Sequence, residues 1–319
     1  MSEMVLGIDV AKKKLDVCLM MDNKVLVKRF DNNTKGIKLL QGWLASLKIE
    51  RVHACLEATG AYSESVAEYL HEHGHRVSMV NPLRINAFAK TDLKRNKTDS
   101  SDARMIAEFC RLKDPEDWYP LPPEIKQLQA LTRRIEVLER ILASEQNRLE
   151  LAPDAVKPSL KRVIADLRKE IERVQQLIKD HIDNNPDIKQ QSELLQTIPG
   201  IGEKTARLLL GEIEFRQFDS ARALAAYAGV TPQKFQSGSS LDRTRLSKLG
   251  NGRIRKALYF PAIVAVQYNQ VVKQFARRLS ESGKTPMQVI CAAMRKLLHI
   301  AFGVIKHNRP FDPNQALRI

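Results

Sequence analysis

"VLGIDVAKKKLDVCLMMDNKVLVKRF", residues 5–30, holds three short runs, VLGIDV (5–10), LDVCLM (15–20) and KVLVKRF (24–30), rich in residues that favour a pleated, half-buried backbone. The gaps between them are too short for a helix, and MDN at 21–23 is a turn signal, so the runs predict an antiparallel meander. Outward from it the pattern alternates. TKGIKLLQGWLASL (34–47) predicts a helix, RVHACLEA (51–58) a strand, YSESVAEYLHEHG (62–74) a helix stopped by Gly74, and RVSMVNP (76–82) a strand.

Three strands, helix, strand, helix, strand is the order of an RNase H-like α/β domain, which would occupy residues 1–122. From 123 the texture changes. Leu128, Leu131, Ile135, Leu138, Leu142 and Leu149 follow a seven-residue repeat interrupted by Glu145. After the break LAPDAVKP (151–158), Leu160, Ile164, Leu167, Ile171, Val174 and Ile178 follow another, ended by DNNPD (183–187). Two antiparallel coiled-coil helices over 123–188 fit, closing on each other or on a second subunit. The third segment, 189–319, is mostly helical.

In that segment IPGIGEKTA (198–206) sets Gly200 and Gly202 between two apolar helical runs, the form of a helix-hairpin-helix. Such a turn offers backbone N–H groups at a helix start to a phosphate, and Lys204 adds charge; a tight turn that binds nothing has the same pattern. KFQSGSSLDRTRLSKLGNGRIRK (234–256) carries Arg243, Arg245, Lys248, Arg253 and Arg255 among its basic residues against one acid, Asp242, and reads as a polar, mobile, nucleic-acid-binding loop. Pro261 should start or kink a helix.

Lys and Arg total 52 against 37 Asp and Glu, a formal charge of +15, which favours a polyanionic partner. Against that background NKTDSSDARMIAEF (96–109) places Asp99 and Asp102 three apart at a helix start. Alone, the pair reads as a helix cap, with Thr98 able to share the task. Both carboxylates share a helical face, however, and Asp9 follows the apolar strand VLGI while Glu57 closes VHACLEATG. Four converging acids repel unless cations neutralise them, and hard oxygen ligands suit Mg²⁺ or Mn²⁺, two of which can hold a phosphate between nucleophile and leaving oxygen. Cys18, Cys55, Cys110 and Cys291 form no C-x-x-C pair and read as buried thiols in a reducing cytoplasm. His71, His73 and His75 read as exposed, and Tyr62 and Tyr259 as packing residues. No apolar leader or span of about 18 residues is apparent, so a cytoplasmic protein without membrane attachment is expected.

GIDVAKKKLDV, EATGAY, NKTDSSDARMIAEF, IPGIGEKTA and GVTPQKFQSGSS, in this order over about residues 5 to 310, resemble the DEDD transposases of bacterial insertion sequences of the insertion-sequence-110 class, relatives of a pilin-gene invertase. The resemblance implies a RuvC-like N-terminal domain, a coiled coil, and a C-terminal transposase domain with a serine nucleophile. It places the family's four acids on Asp9, Glu57, Asp99 and Asp102 and its serine on Ser237. It further implies guidance by a structured bridge RNA, donor and target DNA as partners, and dimers assembling to a tetramer in a bacterial, nucleoid-associated setting. A serine that attacks phosphorus leaves a covalent joint conserving the phosphodiester for rejoining, whereas water gives hydrolysis. The acids and Ser237 lie in different domains that must meet, within a subunit or between subunits. The alternatives are a Holliday-junction-resolvase-like nuclease using water, a sugar-kinase-like ATPase, for which EATGAY lacks a Gly-rich phosphate loop, and a non-catalytic RNA-binding scaffold.

Overall fold

A computed structural model describes residues 4–22, 24–58, 60–91, 99–237, 241–247 and 249–316, and the chain divides into two units, Met1–Pro120 and Leu121–Ile319. In the first, β1 (Val5–Val10), β2 (Lys14–Met21) and β3 (Lys24–Asp31) form the expected meander, followed by α1 (Thr34–Ser46), β4 (His53–Glu57), α2 (Ala61–Glu72), β5 (Arg76–Val80), α3 (Pro82–Thr91) and α4 (Asp99–Lys113). The five strands make one mixed sheet in the order β3-β2-β1-β4-β5, antiparallel through β1, β2 and β3 and parallel from β1 through β4 to β5.

Alternation along the strands sorts side chains between two cores. Leu6, Ile8, Leu15, Val17, Ala54 and Leu56 pack with Ile37, Leu40 and Leu44 of α1 and with Val66 and Leu70 of α2. Val5, Cys18, Met20 and Cys55 face the other way, against Ala103, Ile106, Ala107 and Cys110 of α4. The strand spans match the sequence expectation closely because the apolar runs coincide with them. His75 does not match it. It is 3% exposed, accepts from Val52 N–H at Nδ1 (3.3 Å) and pairs with Gln41 Oε1 at Nε2 (2.8 Å). Gly74, at φ 81°, turns the chain inward just before it. His73 is exposed and stacks on Tyr69.

The second unit opens with α5 (Pro123–Leu151) and α6 (Lys157–Asp183), an antiparallel hairpin in which His181 Nε2, near the end of α6, meets the carbonyl of Glu124 at the start of α5 (2.8 Å). Leu128, Ile135, Leu138, Ile171, Val174 and Ile178 of the seven-residue pattern are buried in the core of this unit. Then come α7 (Pro186–Gln196), α8 (Glu203–Glu212), α9 (Ala221–Tyr227), a hairpin of β6 (Pro232–Ser237) and β7 (Leu241–Leu246), α10 (Gly252–Tyr268), α11 (Gln270–Glu281) and α12 (Pro286–His307).

One feature departs from expectation. The basic stretch expected as a mobile loop instead contains the β6–β7 hairpin, with Pro232 paired to Leu246 and Ser237 to Leu241, and with Ser247 N–H bound to Thr231 O at 2.8 Å. The strands PQKFQS and LDRTRL carry no period-two apolar pattern, so cross-strand pairing and not local periodicity defines them. Pro261 lies inside helix α10 and not at its start, and packing against α8 and α12 offsets the one backbone bond that proline forfeits. By length and composition α12 could cross a bilayer, yet half of its apolar stretch is buried, with Ala293, Met294, Leu297, Leu298 and Ala301 in the core of this unit.

Candidate active site

Gly7 positions the acids of the first unit. A Cβ there would stand 2.3 Å from Ala103 O and 2.4 Å from Ala107 N, so only hydrogen lets α4 lie directly on the β1 backbone. Asp9 is two residues further along the strand and shares Gly7's face of the sheet. Cys55 also faces α4, so Glu57 does too, by the same alternation. Ile8 is paired with Leu56, which puts Asp9 and Glu57 one register step further on neighbouring parallel strands.

The direction of α4 completes the arrangement. Cys110, near its end, lies with Sγ 4.0 Å from the carbonyl of His53, at the beginning of β4. The start of α4 therefore points toward the other end of β4, where Glu57 sits. Asp102 precedes Ala103 by one residue and is half-buried, and Asp99 opens the helix one turn earlier. The side chain of Asp99, like Thr98, lies outside the described residues. Among the described residues no three Asp, Glu, His or Cys side chains already form a metal-binding group. Asp9, Glu57 and Asp102 carry carboxylate oxygens, a donor type that suits a hard divalent cation.

Sequence reasoning missed Asp16. It is paired with Asp9 across β1 and β2, is 4% exposed, and faces α4 by alternation. Arg29 Nε donates to its Oδ1 at 2.7 Å, while Oδ2 has no aligned hydrogen bond and makes an ionic contact with Lys14 Nζ at 3.2 Å. The echo of LDV (15–17) in GIDV (7–10) could have exposed it once the antiparallel register was known. Behind the acids, burial raises the Cys18 pKa to about 11, against the opposing pull of Arg104. The hydrogen bond with Cys55, together with burial, pushes Cys110 upward as well, and these thiols are packing groups.

In the second unit Ser237 ends β6 beside the hairpin tip. Residues 238–240 and Lys248 lie outside the described residues, as do the side chains of Ser237 and Arg243. Arg245 is exposed on β7. Gly200 adopts φ 108°, and a Cβ there would come within 2.9 Å of Ala265 Cβ and Pro261 O, so this glycine serves the approach of α10. Gly202 caps α8 with open space where a Cβ would stand. Lys204 pairs with Glu139 at 2.6 Å, and Arg253 pairs with Glu136. Arg255 donates to the carbonyls of Ala228 (3.1 Å) and Gly250 (3.2 Å), holding the turn before α10. Glu212, 4% exposed, accepts from Arg133 Nε (2.8 Å) and Asn251 Nδ2 (3.0 Å), and Asn251 caps α10.

Two family matches cover both groups of residues. Residues 6–158 match the DEDD transposases of IS110 elements, and residues 192–277 match the transposase IS116/IS110/IS902 family. The pilin gene-inverting proteins of Moraxella lacunata and Moraxella bovis are 37% and 36% identical over 318 residues, 98% of each chain. The transposase for insertion sequence element IS1328 of Yersinia enterocolitica is 26% identical over 96% of this chain and 98% of its own. With acids and serine falling inside the matched segments and a relative aligned along nearly its whole length, the chain belongs to the IS110 family of transposases.

Proposed function

We propose that this transposase cleaves and exchanges DNA strands at donor and target sites by a serine mechanism, with an RNase H-like acidic domain, a coiled-coil segment and a C-terminal domain bearing Ser237. The observation that carries the reading is the contact of Gly7 with Ala103, which brings the start of α4 to the strand ends bearing Asp9 and Glu57. Asp9, Glu57, Asp99 and Asp102 would hold divalent metal, Mg²⁺ or Mn²⁺. Bound there, such ions supply charge neutralisation and Lewis-acid polarisation of a phosphoryl oxygen.

Ser237 would form a bond from Oγ to phosphorus as the bond to one DNA strand breaks, leaving a protonated hydroxyl end and a phosphoserine joint. Attack by the hydroxyl of a second strand reverses that chemistry and restores serine. At the end of β6, Ser237 has a backbone held by pairing with Leu241. The basic residues of β7 and the start of α10, with Gly202 and Lys204 at α8, would contact phosphates. The same reading includes guidance by a bridge RNA, a tetramer built from dimers, and action in the cytoplasm on the cell's DNA.

The test is a denaturing gel of labelled, nicked DNA with Mg²⁺. Wild type is expected to form a protein–DNA adduct, and Ser237→Ala to bind DNA yet form neither adduct nor recombinant. Ser239→Ala and Ser240→Ala retain partial activity. Product from Ser237→Ala at a near wild-type rate would refute the serine and favour a water-using nuclease.

A further inference from the structure

Helix α12 ends at Asn308 in the left-handed conformation (φ 49°), with the N–H groups of Asn308 and Arg309 closing on the carbonyls of Ile305 and Val304. The chain then reverses, and Phe311 N–H donates to Thr197 Oγ1 at 2.9 Å, just before the Gly200–Gly202 turn. Residues 309–312 are thereby strapped beside the last turns of α12. A cavity of about 60 Å³ lies there, lined by Lys296, His299, His307 and Arg309 with one acid, Asp312. Gly303 is also on its wall, and no atom lies within 4 Å of where its Cβ would stand.

The surroundings are cationic beyond the wall itself. Burial and then Arg295, Lys296 and Arg222 of α9 drive the His299 pKa down to about 4. Burial and Arg278 of α11 lower Lys296. The buried Nε2 of His299 and Nε of Arg295 have no hydrogen-bond partner among the described residues. Crowded positive groups with unmet nitrogen atoms are relieved by an anion. The cavity is several times the roughly 10–15 Å³ that one water needs, room for a tetrahedral oxyanion.

We propose that this pocket seats a single backbone phosphate of a nucleic acid, held by Lys296, His299, His307 and Arg309. The proposal rests on the nucleic-acid-processing reading above, and adds a contact that uses none of the residues assigned there. Asp312, the one acid on the wall, is outnumbered by the cations Lys296 and Arg309.

The experiment has two arms on the full chain. In the first, inorganic phosphate is titrated at constant ionic strength while histidine side-chain NMR is recorded; the His299 signal is expected to shift and its apparent pKa to rise. In the second, duplex DNA and an RNA hairpin are bound across a salt series by wild type, Lys296→Gln/Arg309→Gln and Arg309→Gln alone. The last lies past the helix on an exposed residue and guards against misfolding of the double variant. Affinity for DNA, RNA or both should fall at least about threefold, with the salt slope smaller by about one. Loss on one polymer names the strand, and loss on both means that the phosphate is read regardless of sugar. Unchanged affinity and slope on both overturn the proposal, as does phosphate binding without that loss, which would mean an adventitious ion only. The adduct assay with Ser237→Ala is independent, so the catalytic reading can fail while this binding stands.

Discussion

Gly7 and Ala103 meet backbone to backbone: a Cβ on Gly7 would be 2.3 Å from the Ala103 carbonyl oxygen, a contact that no side chain tolerates. Gly7→Ala must push α4 off the sheet, and overpacking of this kind costs about 1–3 kcal/mol. Thermal melting should fall accordingly, and DNA cleavage should fall further at temperatures where the variant is still folded, because Asp102 moves with the helix. Gly42→Ala is the control of opposite sign. Its Cβ would meet nothing within 4 Å inside α1, so it should stabilise by about 0.5–1 kcal/mol.

Asp9→Asn, Glu57→Gln, Asp99→Asn and Asp102→Asn should each abolish strand cleavage while leaving the melting temperature near that of wild type. The half-buried Asp9, Glu57 and Asp102 sit at the ends of their elements rather than in the cores. Cleavage by wild type in EDTA, or by any two of these variants, would contradict the metal-binding role.

Lys204 and Arg255 should separate into different classes. The Lys204–Glu139 pair is exposed on both sides, with side chains 65% and 36% accessible, and such pairs contribute about 0–1 kcal/mol. Lys204→Ala should therefore melt like wild type and bind nucleic acid with a shallower salt dependence. Arg255→Ala frees the carbonyls of Ala228 and Gly250, and should lower stability by about 1–3 kcal/mol. Equal melting temperatures for the two variants would refute the distinction.

Acid should destabilise the fold through two imidazoles whose charged forms burial disfavours. His299 and His75 have pKa values lowered by burial, His299 to about 4 from the ordinary 6.5. Between those values the unfolded chain binds more protons than the folded one, so stability falls as pH drops through 6.5 toward about 4. His299→Gln should lose less melting temperature than wild type between about pH 7 and about pH 4.5. Identical losses would show that His299 does not carry the effect.

The sequence by itself determined the elements that rest on local periodicity. Alternating apolar residues set β1, β2, β4 and β5, and the seven-residue repeats set α5 and α6, because burial of one face is encoded at fixed spacing. The candidate acids were legible too, as carboxylates at strand ends and a helix start in a basic chain. Tertiary structure decided what depends on partners distant in sequence. The strand register brings Asp9 beside Glu57 and Asp16, and close approach at Gly7 orients α4. Packing buries His75 against Gln41 from 34 residues away. Strand pairing turns a charged stretch into a hairpin in which Ser237 is paired with Leu241. A residue's own neighbours specify its conformation, but only the fold specifies what it meets, since desolvation and close contact act through space and not along the chain.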